Sequence, residues 1–161
     1  MSVVVVGLGN AYRGDDAVGL AVAEAVRARV GQKVTVIACE EEPSRLLDAW
    51  SGSSAAVIVD AVVSGSEPGT THRLDASDEP IAAGTFRSST HAFSLGETIE
   101  IARALGRLPR RVVVYGIEAA AVAAGVELTP AVADAVDRVA DAIVRDLDDI
   151  TREEAPCTSE R

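Results

Sequence analysis

The chain alternates between two patterns of apolar residues. Four short, continuous apolar runs are typical of strands buried on both faces of a sheet, and hence of parallel strands. These runs occupy residues 3–6, 34–38, 55–59 and 112–117. Four longer stretches space their apolar residues along one face of a helix. These stretches occupy residues 16–29, a segment that begins at Pro43, residues 91–105 and a segment that begins at Pro130.

The order of these elements predicts the fold. Strands alternate with helices along the chain, which is the pattern of an open α/β sheet with helices on both faces. Residues 70–74 alternate apolar and polar positions, as an edge strand or a hairpin arm does. We therefore expect an α/β fold with an open, mostly parallel, twisted sheet of about five strands, in a single domain over residues 1–150. Residues 151–161 are charged and lack periodicity, which predicts a disordered tail.

Composition and charge exclude several classes of protein. A chain of 161 residues, 48% of them apolar, fits one domain with one ordinary core. Acidic residues outnumber basic ones by 25 to 15, and the formal charge of −10 argues against a nucleic-acid partner. The sequence shows neither the apolar stretch of about 20 residues that a bilayer span requires nor a signal peptide. Cys39 and Cys157 have no metal-binding spacing, so we expect a cytoplasmic protein.

Two places at the predicted carboxyl ends of the strands carry candidate chemistry, because ligands of open α/β sheets bind at this edge. The first is the loop after the first strand. Gly7 and Gly9 match the start of a dinucleotide-binding motif, but Tyr12 occupies the position of its third glycine. The loop ends in two aspartates, of which Asp16 could either cap a helix or act in a site. The second place is Asp60, which ends an apolar run and could bond loop amides or belong to a site.

Two histidines and an acidic run add to this picture. His72 lies in the alternating segment, where a half-exposed strand residue is more typical than a ligand, and His91 opens a predicted helix. If the start of that helix reaches the strand ends, Asp16, Asp60 and His91 converge, and two carboxylates with one imidazole can bind a divalent transition metal. The glutamates at residues 40–42 are either a solvated loop or a negative rim that attracts a basic segment of a client protein.

In this order and at these separations, the motifs of the chain resemble those of the hydrogenase maturation proteases. The resemblance covers about residues 2–147. The matching segments are Val5-Val6-Gly7-Leu8-Gly9-Asn10 with Asp15-Asp16 and Gly19, Val59-Asp60-Ala61-Val62 with Pro68-Gly69-Thr70, Ser89-Thr90-His91, residues 109–116, and Leu128-Thr129-Pro130-Ala131-Val132.

The resemblance implies a function. Proteases of this family remove a C-terminal extension from the large-subunit precursor of nickel-iron hydrogenases after nickel insertion. By resemblance, Asp16, Asp60 and His91 are the residues that recognise the metal and support catalysis. The nickel then belongs to the substrate, and we expect no tightly bound cofactor. The implied partner is the precursor, with the enzyme as a monomer and with neither nucleic acid nor membrane involved. Residues 40–42 depart from the glycine-containing segment of many members, so the choice of substrate does not carry over.

Two interpretations of the same three residues remain open. One is an endopeptidase in which the metal either activates water or only docks the precursor while a carboxylate acts as base. Catalytic zinc sites usually contain more histidine, which favours docking. The other is a non-catalytic metal-site chaperone that checks the nickel loading of a client protein. Both predict that Asp16, Asp60 and His91 lie in one cleft.

Overall fold

The structure, a computed structural model, describes residues 2–40, 42–79, 81, 95–120, 125 and 127–155. Within these ranges five strands alternate with four α-helices, and one turn of 3₁₀ helix, Gly14–Ala17, follows the first strand. The elements are β1 (Val3–Leu8), α1 (Val18–Arg29), β2 (Thr35–Cys39), α2 (Pro43–Trp50), β3 (Ala55–Val62), β4 (Thr71–Asp75), α3 (Leu95–Ala104), β5 (Arg111–Glu118) and α4 (Pro130–Glu154).

The strands form one sheet in the order β2-β1-β3-β5-β4. All neighbouring pairs are parallel except β4 with β5, which is antiparallel. This confirms the predicted α/β fold with a mostly parallel sheet and places residues 71–75 at its edge. The chain goes from β1 to one side, forms β2, and returns to the other side to form β3. The switch point, where ligands of such sheets bind, is therefore the crevice between the carboxyl ends of β1 and β3.

Helices cover both faces of the sheet. Along β1 and β3 every residue is buried, as expected for central strands with a helix layer on each side. One apolar layer joins the sheet to α1 and α4, and the other joins it to α2 and α3. On β3, Val57 and Val59 belong to the α1/α4 layer, whereas Ile58 and Val62 belong to the α2/α3 layer. The alternation of side chains therefore turns Asp60 toward the α2/α3 face.

Helix α1 crosses β1 at two glycines that touch. A Cβ atom on Gly7 would lie 2.2 Å from the carbonyl oxygen of Gly19, and one on Gly19 would lie 2.1 Å from that of Leu8. Neither separation admits a side chain, so the crossing requires glycine at both positions. This close crossing fixes the start of α1, and with it the 3₁₀ turn, against the end of β1.

Two element ends differ from the prediction. β3 continues to Val62, so Asp60 lies inside the strand rather than just after it, because β5 pairs with β3 as far as Val62 and Glu118. α4 continues to Glu154, so residues 151–154 are helical and do not belong to a disordered tail. The ion pair between Glu153 and Arg111, 2.8 Å long, attaches this end of α4 to the sheet. Residues 156–161 of the predicted tail lie outside the described residues.

Candidate active site at the carboxyl edge of the sheet

Asp60 is a buried carboxylate within a central strand. Only 3% of its surface is exposed, and its Oδ1 accepts a hydrogen bond of 2.8 Å from the amide of Ala61. On β5 its neighbour across the sheet is Gly116. Removing a carboxylate from water is costly, so a buried acid at the ligand-binding edge of the sheet is a candidate functional residue.

Asp16 lies in the 3₁₀ turn and is also buried, with 3% of its surface exposed. The loop before it folds tightly against it, since a Cβ atom on Gly9 would lie 1.9 Å from the carbonyl oxygen of Asp16. The turn contacts β3, the strand that carries Asp60. Asp16 and Asp60 therefore come from the two strand ends that form the switch-point crevice, one following β1 and the other on β3.

Asp15 has a different environment from its neighbour Asp16. It is fully buried, and its two carboxylate oxygens each accept a main-chain hydrogen bond of 2.7 Å, one from Ala120 and one from Thr129. The hydroxyl of Thr129, the residue before α4, adds a bond of 2.9 Å. Asp15 therefore joins the loop after β1 to the segments after β5 and before α4. These bonds reach elements that are distant in sequence, so they do not cap the helix that follows Asp15.

His91, the third predicted site residue, lies outside the described residues. Described α3 begins at Leu95, so the structure gives no position for the segment that precedes it. Among the described residues no three His, Cys, Asp or Glu side chains form a metal-binding group. The structure describes the two aspartates but not the histidine. The convergence of Asp16, Asp60 and His91 therefore stays a prediction.

The sequence analysis missed a charged cluster at the same edge. Glu118, the last residue of β5, is buried and accepts hydrogen bonds from the amides of Ser64 and Gly65, at 2.6 and 2.9 Å, and from the Ser64 hydroxyl at 2.7 Å. The two amides donate to Oε1, and the Nε2 atom of His72 lies 3.2 Å from Oε2, the oxygen that also accepts the bond from the Ser64 hydroxyl. Burial raises the pKa of Glu118, but these hydrogen bonds outweigh it, so its pKa lies below the usual value. The signal was present, because Glu118 ends an apolar run as Asp60 does.

The acidic run at residues 40–42 lies at this edge too. β2 ends at Cys39, which pairs with Leu8 at the end of β1. Glu40 and Glu42 are exposed, and the carboxylate of Glu42 lies 3.1 Å from the guanidinium of Arg45. Glu41 lies outside the described residues. The run therefore borders the crevice, although Arg45 compensates part of its charge.

A sequence model of the hydrogenase maturation proteases matches residues 20–146. The chain belongs to this family. The match confirms the resemblance seen in the motifs, and it includes Asp60 and His91, while Asp16 precedes its first residue. The hydrogenase expression/formation protein HupD of Thiocapsa roseopersicina is 25% identical over 118 residues, which are 72% of this chain and 53% of HupD. The chain thus spans about half the length of this curated relative.

Solved structures of hydrogenase maturation proteases share the fold. The maturating endopeptidase HybD of Escherichia coli superimposes with a TM-score of 0.79 at 24% identity, over 92% of this chain and 93% of HybD. The [NiFe] hydrogenase maturation protease HycI of Thermococcus kodakarensis KOD1 gives a TM-score of 0.70 at 26% identity, over 89% of this chain and 90% of HycI. The whole described sheet and its helices therefore follow the architecture of this protease family.

Proposed function

We propose that this protein is an endopeptidase that removes the C-terminal extension of a nickel-loaded nickel-iron hydrogenase large-subunit precursor. The observation that carries the proposal is the pair of buried carboxylates, Asp16 and Asp60, at the switch point of a hydrogenase maturation protease fold. Hydrolysis of a peptide bond requires an activated water molecule and stabilisation of the oxyanion. A carboxylate at this crevice supplies the base, which makes the enzyme an aspartyl-type protease.

The proposed recognition of nickel uses three side chains. Asp16, Asp60 and His91 would contact the nickel of the substrate, so that cleavage proceeds only after the metal has been inserted. Two carboxylates and one imidazole form a small, oxygen-rich set that leaves coordination positions for ligands from the precursor. The nickel is part of the substrate in this scheme, and the protein holds no metal of its own between reactions.

The setting of the proposed reaction follows from the same scheme. The protein acts in the cytoplasm as a monomer on one protein substrate, without nucleic acid, and the formal charge of −10 supports the last point. No helix in the described part of the chain is long and apolar enough to cross a bilayer.

We expect the purified protein to contain less than one equivalent of metal. The proposed ligand set lacks thiolates and has a single imidazole, and such open sets release divalent metals to chelators. Elemental analysis after ordinary purification checks this expectation. One equivalent of zinc that survives dialysis against a chelator would contradict it and would indicate a metallopeptidase.

The test of the proposed function is cleavage of nickel-loaded precursor, followed as loss of the C-terminal extension on a gel. Wild-type protein should cleave the loaded precursor and leave metal-free precursor intact. His91→Ala should abolish cleavage, since it removes the only nitrogen ligand of the proposed set. Its free energy of unfolding, followed by thermal melting, should change by about 0.5 kcal/mol or less. Wild-type protein that binds loaded precursor without cleaving it would favour the second candidate, a metal-site chaperone.

A further inference from the structure

One row of residues crosses β3, β5 and β4 beside the candidate site. Gly116 on β5 pairs with Asp60 on one side and with His72 on the other. Leu74, two residues after His72, packs in the α2/α3 layer, so His72 faces the same side of the sheet as Asp60. Because Gly116 has no side chain, β5 places no side chain directly between the two at this position. Their Cα atoms are about 10 Å apart, which is twice the spacing between strands.

Glu118 holds His72 by one ring nitrogen. It lies two residues beyond Gly116 on the same face, and its carboxylate is 3.2 Å from Nε2 of His72. An ionised carboxylate only accepts hydrogen bonds, so Nε2 carries a hydrogen atom and Nδ1 is the atom left to exchange a proton. Within the described residues Glu118 is the hydrogen-bonding partner of His72, whose side chain is 37% exposed. A histidine oriented by a buried carboxylate, with its second nitrogen available, is the arrangement that proton transfer requires.

In the described part of the chain, the charged groups around His72 on this face are negative. Glu118 on β5 and Asp60 on β3 both lie on the α2/α3 side of the sheet. Arg73, the next residue of β4, turns to the opposite face and pairs with Asp146 of α4 at 2.7 Å. Among the described residues a protonated imidazole at this position therefore has two carboxylates to compensate it.

We propose that His72, oriented by Glu118, is the general acid of the cleavage reaction and protonates the leaving amine. This proposal rests on the endopeptidase function given above. The oxygen of a water molecule bonds to the carbonyl carbon and loses a proton to a carboxylate on the Asp60 side. The C–N bond breaks, and the nitrogen keeps the bonding electron pair, which takes the proton from Nδ1 of His72. The products are a carboxyl terminus and the amine of the released extension, and solvent returns the proton from the carboxylate to His72.

The separation of Asp60 and His72 suits this reaction. The two side chains rise from the same face of the sheet, so their ends remain roughly 10 Å apart. Four lengths must fit between them. A hydrogen bond of about 2.8 Å joins Asp60 to the water, and another joins the peptide nitrogen to His72. The water lies about 3 Å from the carbonyl carbon, and the C–N bond is about 1.3 Å long. These lengths add up to the separation of the two strands, so a water molecule and the scissile peptide together would span it.

His72→Gln separates proton transfer from a structural role. The side-chain amide of glutamine can donate to Glu118 as Nε2 does, but it cannot give up a proton. Single-turnover cleavage at saturating nickel-loaded precursor should fall about 10²- to 10⁴-fold, with the binding of the precursor and the melting temperature unchanged. The matched control is Thr71→Val on the same strand. The hydroxyl of Thr71 is buried and makes no hydrogen bond among the described residues, so this variant should cleave within about threefold of wild type.

The outcomes distinguish this proposal from the proposed function. Cleavage by wild type and by His72→Gln at equal rates overturns the general-acid role and leaves the endopeptidase function standing. Wild-type protein that leaves loaded precursor intact overturns both. A second variant, His72→Ala, decides the case if the glutamine variant is unstable or binds precursor poorly. Free imidazole should raise its cleavage rate at least about tenfold, because it replaces the missing proton donor, and no increase overturns the proposal.

Discussion

Replacing Asp60 with asparagine should abolish cleavage of the precursor and leave the fold nearly unchanged. Asparagine has the size of aspartate and keeps an oxygen that can accept the 2.8 Å hydrogen bond from the amide of Ala61. It lacks the negative charge that lets a carboxylate accept a proton and bind a divalent metal strongly. We expect the single-turnover rate to fall at least about 10³-fold and the free energy of unfolding to change by about 1 kcal/mol or less. Gel-based cleavage and urea unfolding measure the two quantities.

Asp137→Asn is the control for this variant. Asp137 lies on α4, its side chain is 81% exposed, and it pairs with Arg29 far from the crevice. The same chemical change should therefore cost little stability and leave the rate of cleavage at the wild-type level. Cleavage by Asp60→Asn at the wild-type rate would remove Asp60 from the proposed site.

Much of the fold could be predicted because buried strands have continuous apolar runs in the sequence. The runs that became β1 and β3 are buried at every position, and such strands require helices on both faces. The exact ends of the strands and helices were harder to predict. β3 extends to Val62 because β5 pairs with it that far, and a strand end set by a partner more than fifty residues away leaves no local mark. The last turn of α4 likewise has a partner distant in sequence, because Glu153 pairs with Arg111.

The candidate site could be predicted only where one residue carries the signal. Asp60 is recognisable as an acid in an apolar run at the ligand-binding edge. The same rule applies to Glu118, but its histidine partner lies 46 residues away, so the pair cannot be recognised from spacing. The roles of Asp15 and Asp16 could not be distinguished from the sequence either. The bonds that fix Asp15 reach Ala120 and Thr129, 105 and 114 residues along the chain.

Asp15→Asn should destabilise the protein by about 2–4 kcal/mol, the largest loss of stability that we expect from a change of this size at the site. One oxygen of the Asp15 carboxylate accepts the amide hydrogen of Ala120 and the other accepts that of Thr129, each at 2.7 Å. Asparagine replaces one of these oxygens with an NH₂ group, which turns a donor toward a donor. A buried amide without an acceptor costs about 1–3 kcal/mol, and the loss of the charged acceptor weakens the remaining bond.

Asp16→Asn is the matched comparison, because it makes the same change one residue later. Asp16 is a proposed metal contact, so its replacement should abolish cleavage while the free energy of unfolding stays within about 1 kcal/mol of wild type. Asp15→Asn should instead lower the midpoint of urea unfolding, and its remaining folded fraction should still cleave precursor. Loss of cleavage by Asp15→Asn with a wild-type unfolding midpoint would reverse the assignment. It would place Asp15 in the reaction and show that its bonds to Ala120 and Thr129 have no measurable share in stability.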